Sequence, residues 1–280
     1  MMTLWQGLCH LPTAWHPVIG KFCGKLLFII AKNRKNIAKA NIEACFLNLS
    51  KADQQKLLQD NFMYLGRSFI ETGIAWFWSD KKIQSKVDYG IIGLDLLSDN
   101  YSNNGNLIIF KHSQHLELDA RLLAMNTAVY GVSRTHNSAS MNKIQDKGRL
   151  SSIKDTADKN NPRKFMKWLK AGKNVMYAID QDYGWDHSVK LKFFNQEAAT
   201  ITTIRKIIDT TDSNLLFINS YYQNKKLVLK IELIDHAGLN SIELTQKIND
   251  LMEEKILQHP AEYLWMHRRF KSTLGKNFYK

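Results

Sequence analysis

The chain has 280 residues, 44% of them hydrophobic and 23% charged, which is enough apolar material for a large buried core and speaks against disorder. Lysine and arginine number 39 against 26 aspartate and glutamate, and the formal charge of +13 suits a polyanionic partner: nucleic acid, anionic lipid, a phosphorylated substrate or an acidic carrier protein. Cys9, Cys23 and Cys45 form no Cys-x-x-Cys pair, which argues against a disulfide framework or zinc site and fits a reducing compartment.

In chain order, residues 1–45 read as an N-terminal helical segment. It has no charged n-region of a secretory signal, and Pro12, Pro17, Lys21 and Lys25 interrupt its apolar stretches. No run reaches the roughly 18 to 20 apolar residues needed to span a bilayer. Trp5, Trp15 and the run from Leu26 to Ile30 are followed by Lys32, Arg34, Lys35 and Lys39. Apolar and aromatic groups beside a cationic cluster suit a helix lying on an anionic membrane face; the alternative is a buried helix with a solvated basic end.

Ser50-Lys51-Ala52-Asp53 resembles a helix-starting capping box. After it Leu58, Phe62, Leu65, Phe69, Ile70 and Ile74 recur at helical spacing and run into Ala75-Trp76-Phe77-Trp78. From about residue 87 short apolar runs alternate with helical patterns. Strands are expected at 106–111, 128–133, 174–179, 214–222 and 226–234, with Asn224-Lys225 as a hairpin turn. Helices are expected at 114–126, 162–171, 199–209 and 241–258. This alternation predicts an α/β fold over residues 46–280, a mostly parallel sheet flanked by helices, with the N-terminal extension associating with membrane.

The most informative stretch runs from Ile108 to Arg121, where a buried strand feeds a helix with His112 at the junction. Loops at the carboxyl ends of parallel strands commonly form the sites of such sheets. If His112 precedes the helix and Glu117 lies in its first turn, the two can converge. Glu117 would then accept a hydrogen bond from one imidazole nitrogen and leave the other as a general base. His115 and Asp119 are rivals, four residues apart and suited to one helix face. No second cluster of His, Cys or carboxylates accompanies them, so neither metal nor cofactor is expected.

Together with five further stretches, His112-x4-Glu117 and Leu118-x-Ala120-Arg121 resemble the Kdo-dependent late acyltransferases of lipid A biosynthesis, the lauroyl/myristoyl family within the lysophospholipid acyltransferase superfamily. These stretches are Asp180-Gln181-Asp182-Tyr183-Gly184, Phe193 to Thr200, Pro260 to Lys271, and an N-terminal half with Asn41 to Phe46 and Glu71 to Trp78. The resemblance covers nearly the whole chain. It implies an enzyme that moves an acyl chain from acyl carrier protein to a hydroxyl on a phosphorylated, Kdo-bearing glycolipid, at the cytoplasmic face of a bacterial inner membrane. His112 would take the hydroxyl proton and Glu117 would orient it. The absence of a Gly-x-Ser-x-Gly elbow agrees with direct transfer.

Ser113, where the family often has an aromatic, and Asp119, where glycine is frequent, depart from the pattern and bear on chain length and acceptor fit. Arg149 matches a family position and could grip a phosphate, or be a surface arginine. Asp180 and Asp182 follow a strand and could bind sugar hydroxyls or cap the turn. Arg268 and Arg269, sent to opposite faces by a strand-like stretch, are expected to bind the acceptor. Basic stretches at 21–39 and 159–173 suit an acidic carrier protein or anionic lipid. Nucleic acid is not expected, since none of its usual motifs is present. The alternatives are a lysophospholipid or glycerophosphate acyltransferase, whose motif is His-x4-Asp, and a non-catalytic basic membrane-binding protein.

Overall fold

A computed structural model describes residues 2–98, 104–133, 139–186 and 188–280. Three helices open the chain: α1 (Met2–His10), α2 (His16–Ile30) and α3 (Lys32–Cys45). Ser50 caps the next, α4 (Lys51–Phe77), its side chain accepting the Asp53 N–H as the capping-box pattern predicts. α5 (Asp80–Lys86) leads to the first strand, β1 (Tyr89–Ile92). Then follow β2 (Asn106–Phe110), α6 (Leu116–Ala124), β3 (Val129–Ser133), α7 (Ala139–Arg149), β4 (Thr156–Asp158), α8 (Pro162–Lys170) and β5 (Asn174–Ala178). The rest is a hairpin of β6 (Ser188–Phe193) and β7 (Gln196–Ile201), α9 (Thr203–Thr211), β8 (Asn214–Gln223), β9 (Lys226–Leu233), α10 (Ser241–Gln258) and the short α11 (Lys271–Leu274).

Seven strands form one sheet in the order β1-β9-β8-β2-β5-β3-β4. β8, β2, β5, β3 and β4 run parallel, and β9 turns back antiparallel on β8 through Asn224 and Lys225. Both turn residues have positive φ, 50° and 70°, the geometry of a tight two-residue hairpin. β2 is buried along its whole length, as a central strand covered on both faces must be. Leu107 and Ile109 point into one core with α3, α4, α8, α9 and α10, while Ile108 and Phe110 point into a second with α6. The mostly parallel, helix-flanked α/β fold expected from the sequence is the fold observed.

One expected element changes. The helix placed at 199–209 begins at Thr203, because residues 196–201 pair antiparallel with β6. Ala198 and Ala199 carry helical propensity, but their side chains are wholly buried in the hairpin, and tertiary packing overrides a weak local preference. The boundary drawn at residue 45 marks no break in packing, since Ala38, Ile42 and Cys45 of α3 belong to the main core. Among the described residues no single helix is long and apolar enough to cross a membrane.

α2 is clasped to α4 by glycines. A Cβ built on Gly66 would stand 2.0 Å from the Gly20 carbonyl oxygen and 2.3 Å from the Gly24 nitrogen. Both obstacles are backbone, so no side-chain rotation relieves the clash. Gly66→Ala is therefore expected to force α2 off α4, costing about 1–3 kcal/mol. Faster proteolysis within residues 1–31, relative to the wild type, checks this; an unchanged digestion pattern would show that the contact is not close in solution.

Candidate active site

The parallel register places the key groups. Phe110 of β2 pairs with Ala178 of β5, so His112 and Asp180 stand equally far beyond the ends of adjacent strands. His112 Nδ1 lies 2.5 Å from Asp180 Oδ1, and the His112 backbone N–H donates to Asp180 Oδ2 at 2.9 Å. Asp180 is 1% exposed. Burial alone would raise its pKa, but the adjacent His112 and, further off, His267 outweigh that and hold the carboxyl well below the usual carboxylate range. An ionised Asp180 fixes the proton on Nδ1 and leaves Nε2 as the basic nitrogen. Gln181 Nε2 lies 3.1 Å from that nitrogen and donates to it.

The sequence paired His112 with Glu117, and the structure pairs both differently. Glu117 is the second residue of α6 and receives Arg149, whose Nε lies 3.0 and 3.1 Å from its two oxygens and whose Nη2 also donates to it. Trp76 Nε1 donates to the same carboxylate at 3.0 Å. Helix geometry explains the split, for α6 starts only at Leu116 and residues 111–115 are extended and turned, fastened from behind by the C-terminal segment. Leu264 N–H donates to the His112 carbonyl at 2.9 Å and Gln114 N–H to the Glu262 carbonyl at 2.8 Å.

His112, Glu117, Arg149 and Gln181 border a cleft of about 490 Å³ at the carboxyl ends of the strands. Its apolar wall is formed by Phe110, Leu116, Ala120, Ile153 and Met176. A base beside an apolar channel suits proton abstraction next to a bound hydrocarbon chain. Among the described residues no group of three His, Cys, Asp or Glu side chains could hold a metal ion.

The remaining residues singled out in the sequence lie elsewhere. Asp182 accepts from Gly184 N–H and from the backbone N–H and hydroxyl of Ser272, so it closes its turn and ties down α11. The C-terminal stretch is a succession of turns, yet it does send its two arginines apart. Arg268 is exposed, 6.0 Å from the Tyr279 ring. Arg269 is 2% exposed and grips β7, donating to the Ala199 carbonyl at 2.7 Å and to Thr200 Oγ1 at 2.9 Å. That burial leaves Arg269 almost no surface open to a bound molecule. The sequence singles out Gln181 and Trp76 only inside longer stretches and gives neither a role; the signal for each is its neighbours, Asp180 and the aromatic end of a helix.

His115 and Asp119, the rivals, do not line the cleft. Asp119 accepts from Ser113 and Ser220 hydroxyls at 2.8 and 2.6 Å. His115 bridges Glu262 at 2.8 Å and Glu71 at 3.6 Å, joining the C-terminal segment to α4. Burial opposes its charge, but the two carboxylates outweigh burial and raise its pKa from 6.5 to about 9. A raised histidine stabilises the fold fully below pH 6.5 and loses that contribution as pH climbs towards 9. Lys111, lowered to about 8 by burial, gives an opposing trend only above pH 8. His267, lowered to about 4 by burial, acts only below 6.5. Between pH 6.5 and 8 the melting temperature is thus expected to fall in the wild type and to lose that slope in His115→Gln; parallel curves would remove His115 as the cause.

The family model described as bacterial lipid A biosynthesis acyltransferase matches residues 1–272. The chain is 33% identical over 266 residues to the lipid A biosynthesis lauroyltransferase of Escherichia coli strain K12, covering 92% of this chain and 86% of that one. It is 30% identical over 260 residues to the lipid A biosynthesis palmitoleoyltransferase of the same organism, covering 91% and 84%. A lipid A biosynthesis acyltransferase of Haemophilus influenzae is 30% identical over 281 residues, covering 97% and 89%.

Proposed function

Because the chain belongs to the bacterial lipid A biosynthesis acyltransferases, we propose that it carries a fatty acyl chain from acyl carrier protein to a hydroxyl of a Kdo-bearing lipid A precursor at the cytoplasmic face of the inner membrane. The observation that carries this reading is the His112 imidazole, clamped at Nδ1 by Asp180 and bordering an apolar-walled cleft. The acceptor hydroxyl displaces the Gln181 amide from Nε2. Nε2 takes the hydroxyl proton as the oxygen attacks the thioester carbon. The tetrahedral oxyanion then collapses, the C–S bond breaks, and the thiolate leaves and recovers the proton from the imidazolium. Asp180 holds the tautomer and balances the transient charge. Glu117 acts through Arg149, fixing that guanidinium at the cleft border for the negative charge of acceptor or oxyanion.

Two surfaces support the partners. On α2, Val18, Phe22, Leu26 and Ile29, with Trp15 just before its start, form an exposed apolar stripe on the face opposite the buried Gly20 and Gly24. Lys21 and Lys25 flank it, which suits a helix lying on anionic lipid. On α8, Phe165 and Leu169 are buried while Arg163, Lys167 and Lys170 face solvent, and Lys159 borders the cleft close by, a basic face for an acidic carrier protein.

The test is product mass after incubation with acyl carrier proteins of graded chain length and a Kdo-bearing tetra-acyl precursor. A mass gain of one acyl group, absent in His112→Ala, is expected; no gain with any donor would overturn the reading. Gly131 offers a sharper version, because a Cβ there would meet only ordinary contacts, 3.7 Å from Thr156 and 3.9 Å from Ile153. Gly131→Val adds bulk to the cleft wall and is expected to cut turnover of the longest accepted donor by about 10-fold or more while sparing shorter ones. An equal effect on all donors would place the acyl chain elsewhere.

A further inference from the structure

A second cleft, of about 630 Å³, lies on the other side of α6 from the catalytic one. Leu118 faces it, whereas Leu116, Glu117 and Ala120 face the first. α4 divides in the same way: its Ile70 and Ile74, with Trp78 just past its end, line the second cleft, while Trp76 reaches Glu117 beside the first. Among the described residues the two clefts have no lining residue in common.

The second cleft pairs an apolar floor with a cationic rim. Ile70, Ile74, Trp78 and Leu118 make the floor. Lys21 of α2, Lys86 of α5 and Lys225 of the β8–β9 turn stand at the rim, with Asp88 as the opposing acid. Glu71 also lines the cleft; its Oε1 accepts from Arg67 and Tyr222, and its buried Oε2 has no hydrogen-bond partner among the described residues and faces the His115 ring at 3.6 Å, which balances its charge. Arg67 is the donor held by the protein's own contacts. Its guanidinium lies 3.3 Å from the centre of the Tyr222 ring, and its Nε donates to Glu71 at 2.6 Å. Stacking and the ion pair fix the fork, while Nη1 and Nη2 have no acceptor among the described residues. His16 Nε2, also at this cleft, is buried with no hydrogen-bond partner among the described residues.

A fixed, partly unspent arginine fork beside lysines suits a phosphodiester, and the apolar floor below suits a hydrocarbon chain. Pro17 and Lys21 belong to α2, so the cleft adjoins the helix whose outer stripe faces the bilayer in the reading above. We propose that this cleft holds one anionic membrane glycerophospholipid, its phosphate on Arg67 and its acyl chain along Ile70, Ile74, Trp78 and Leu118. The proposal rests on the membrane reading of α2, and the experiment separates the two.

Full-length protein in neutral detergent is mixed with phosphatidylglycerol or phosphatidylcholine and weighed by native mass spectrometry. One phosphatidylglycerol per chain is expected to survive, and phosphatidylcholine to be lost. Arg67→Gln removes the fork, and Val87→Trp fills the cleft from a half-buried position without touching the Arg67 network. Each is expected to cut retention by about 10-fold or more, with melting curves confirming that at least one variant folds. Gly131→Val, which narrows the catalytic cleft, is expected to keep the lipid. Flotation on phosphatidylglycerol vesicles tests α2 alone: Phe22→Glu with Ile29→Glu is expected to abolish flotation and leave the detergent stoichiometry intact. Wild-type protein that fails to float yet retains its lipid refutes the membrane reading and upholds the site. Overturning results are flotation without retained lipid, equal retention of both lipids, retention unchanged in a folded Arg67→Gln or Val87→Trp, or displacement of the phospholipid by the phosphorylated acceptor.

Discussion

Asp180→Asn is expected to lower turnover by about 10²–10⁴-fold in a protein that still folds, as great a loss as His112→Ala. The loss comes from a change of tautomer. Asp180 makes two contacts to His112, accepting the backbone N–H on Oδ2 and the ring on Oδ1. An asparagine can keep the backbone contact by turning its carbonyl there, but its amide then faces Nδ1 as a donor. Nδ1 must become the acceptor, the proton moves to Nε2, and the nitrogen facing the cleft is no longer a base. Glu117→Gln works differently. It loosens Arg149 and Trp76 without touching the imidazole, so its effect should concentrate in the Michaelis constant of the acceptor or in oxyanion stabilisation. Initial rates with both substrates varied distinguish the two. Wild-type turnover by folded Asp180→Asn, with none by Glu117→Gln, would reinstate the His112–Glu117 pairing that spacing alone suggests.

That pairing shows where sequence reasoning ran out. The strands at 106–110, 174–178 and 214–223 were legible because buried parallel strands are continuous apolar runs, and the helix at 241–258 because its apolar residues keep a helical period. The position of His112 at a strand's carboxyl end followed. Its partner did not, because a carboxylate five residues along the chain is nearer in sequence than one sixty-eight residues away, while parallel register brings the distant one opposite. Register needs two strands known to be neighbours, and the order β8-β2-β5-β3 skips through the chain. The β6–β7 hairpin was hidden for a related reason. Gln196 to Ile201 has no strong strand character of its own, and what holds it extended includes Arg269, a residue seventy positions further on. Asn41 of α3 likewise spends its amide on the Trp265 and His267 carbonyls, both at 2.7 Å, so the two ends of the chain shape each other.

Arg269→Met is expected to be the most destabilising of the single changes considered, at about 3–5 kcal/mol, whereas Arg268→Met should stay within about 0.5 kcal/mol of the wild type. Adjacent arginines differ this much because of what surrounds them. Arg268 is in solvent and loses only a loose contact with the Tyr279 ring. Arg269 is buried, packs 4.9 Å from the Phe193 ring centre, and supplies the hydrogen bonds of the Ala199 carbonyl and the Thr200 hydroxyl. Methionine fills much of the volume but takes the arginine donor from the buried Ala199 carbonyl and leaves the Thr200 hydroxyl only its longer contacts to Asn249 and Ala198, at 3.4 and 3.2 Å; a buried group left unsatisfied costs about 1–3 kcal/mol. Because Phe270 packs in the main core and Ser272 ties to Asp182, loosening residue 269 also loosens the loop that carries Asp180. Arg269→Lys keeps the charge, yet one ammonium cannot reproduce the planar fork, so partial loss is expected. Melting curves rank the variants, and steady-state kinetics separate stability from binding. If Arg268 meets the phosphorylated acceptor from its exposed position, Arg268→Lys raises the acceptor's Michaelis constant, leaves the donor's unchanged and does not move the melting temperature. A folded Arg269→Met with wild-type melting temperature and a weakened acceptor would return Arg269 to the acceptor site and remove its role as the staple of β7.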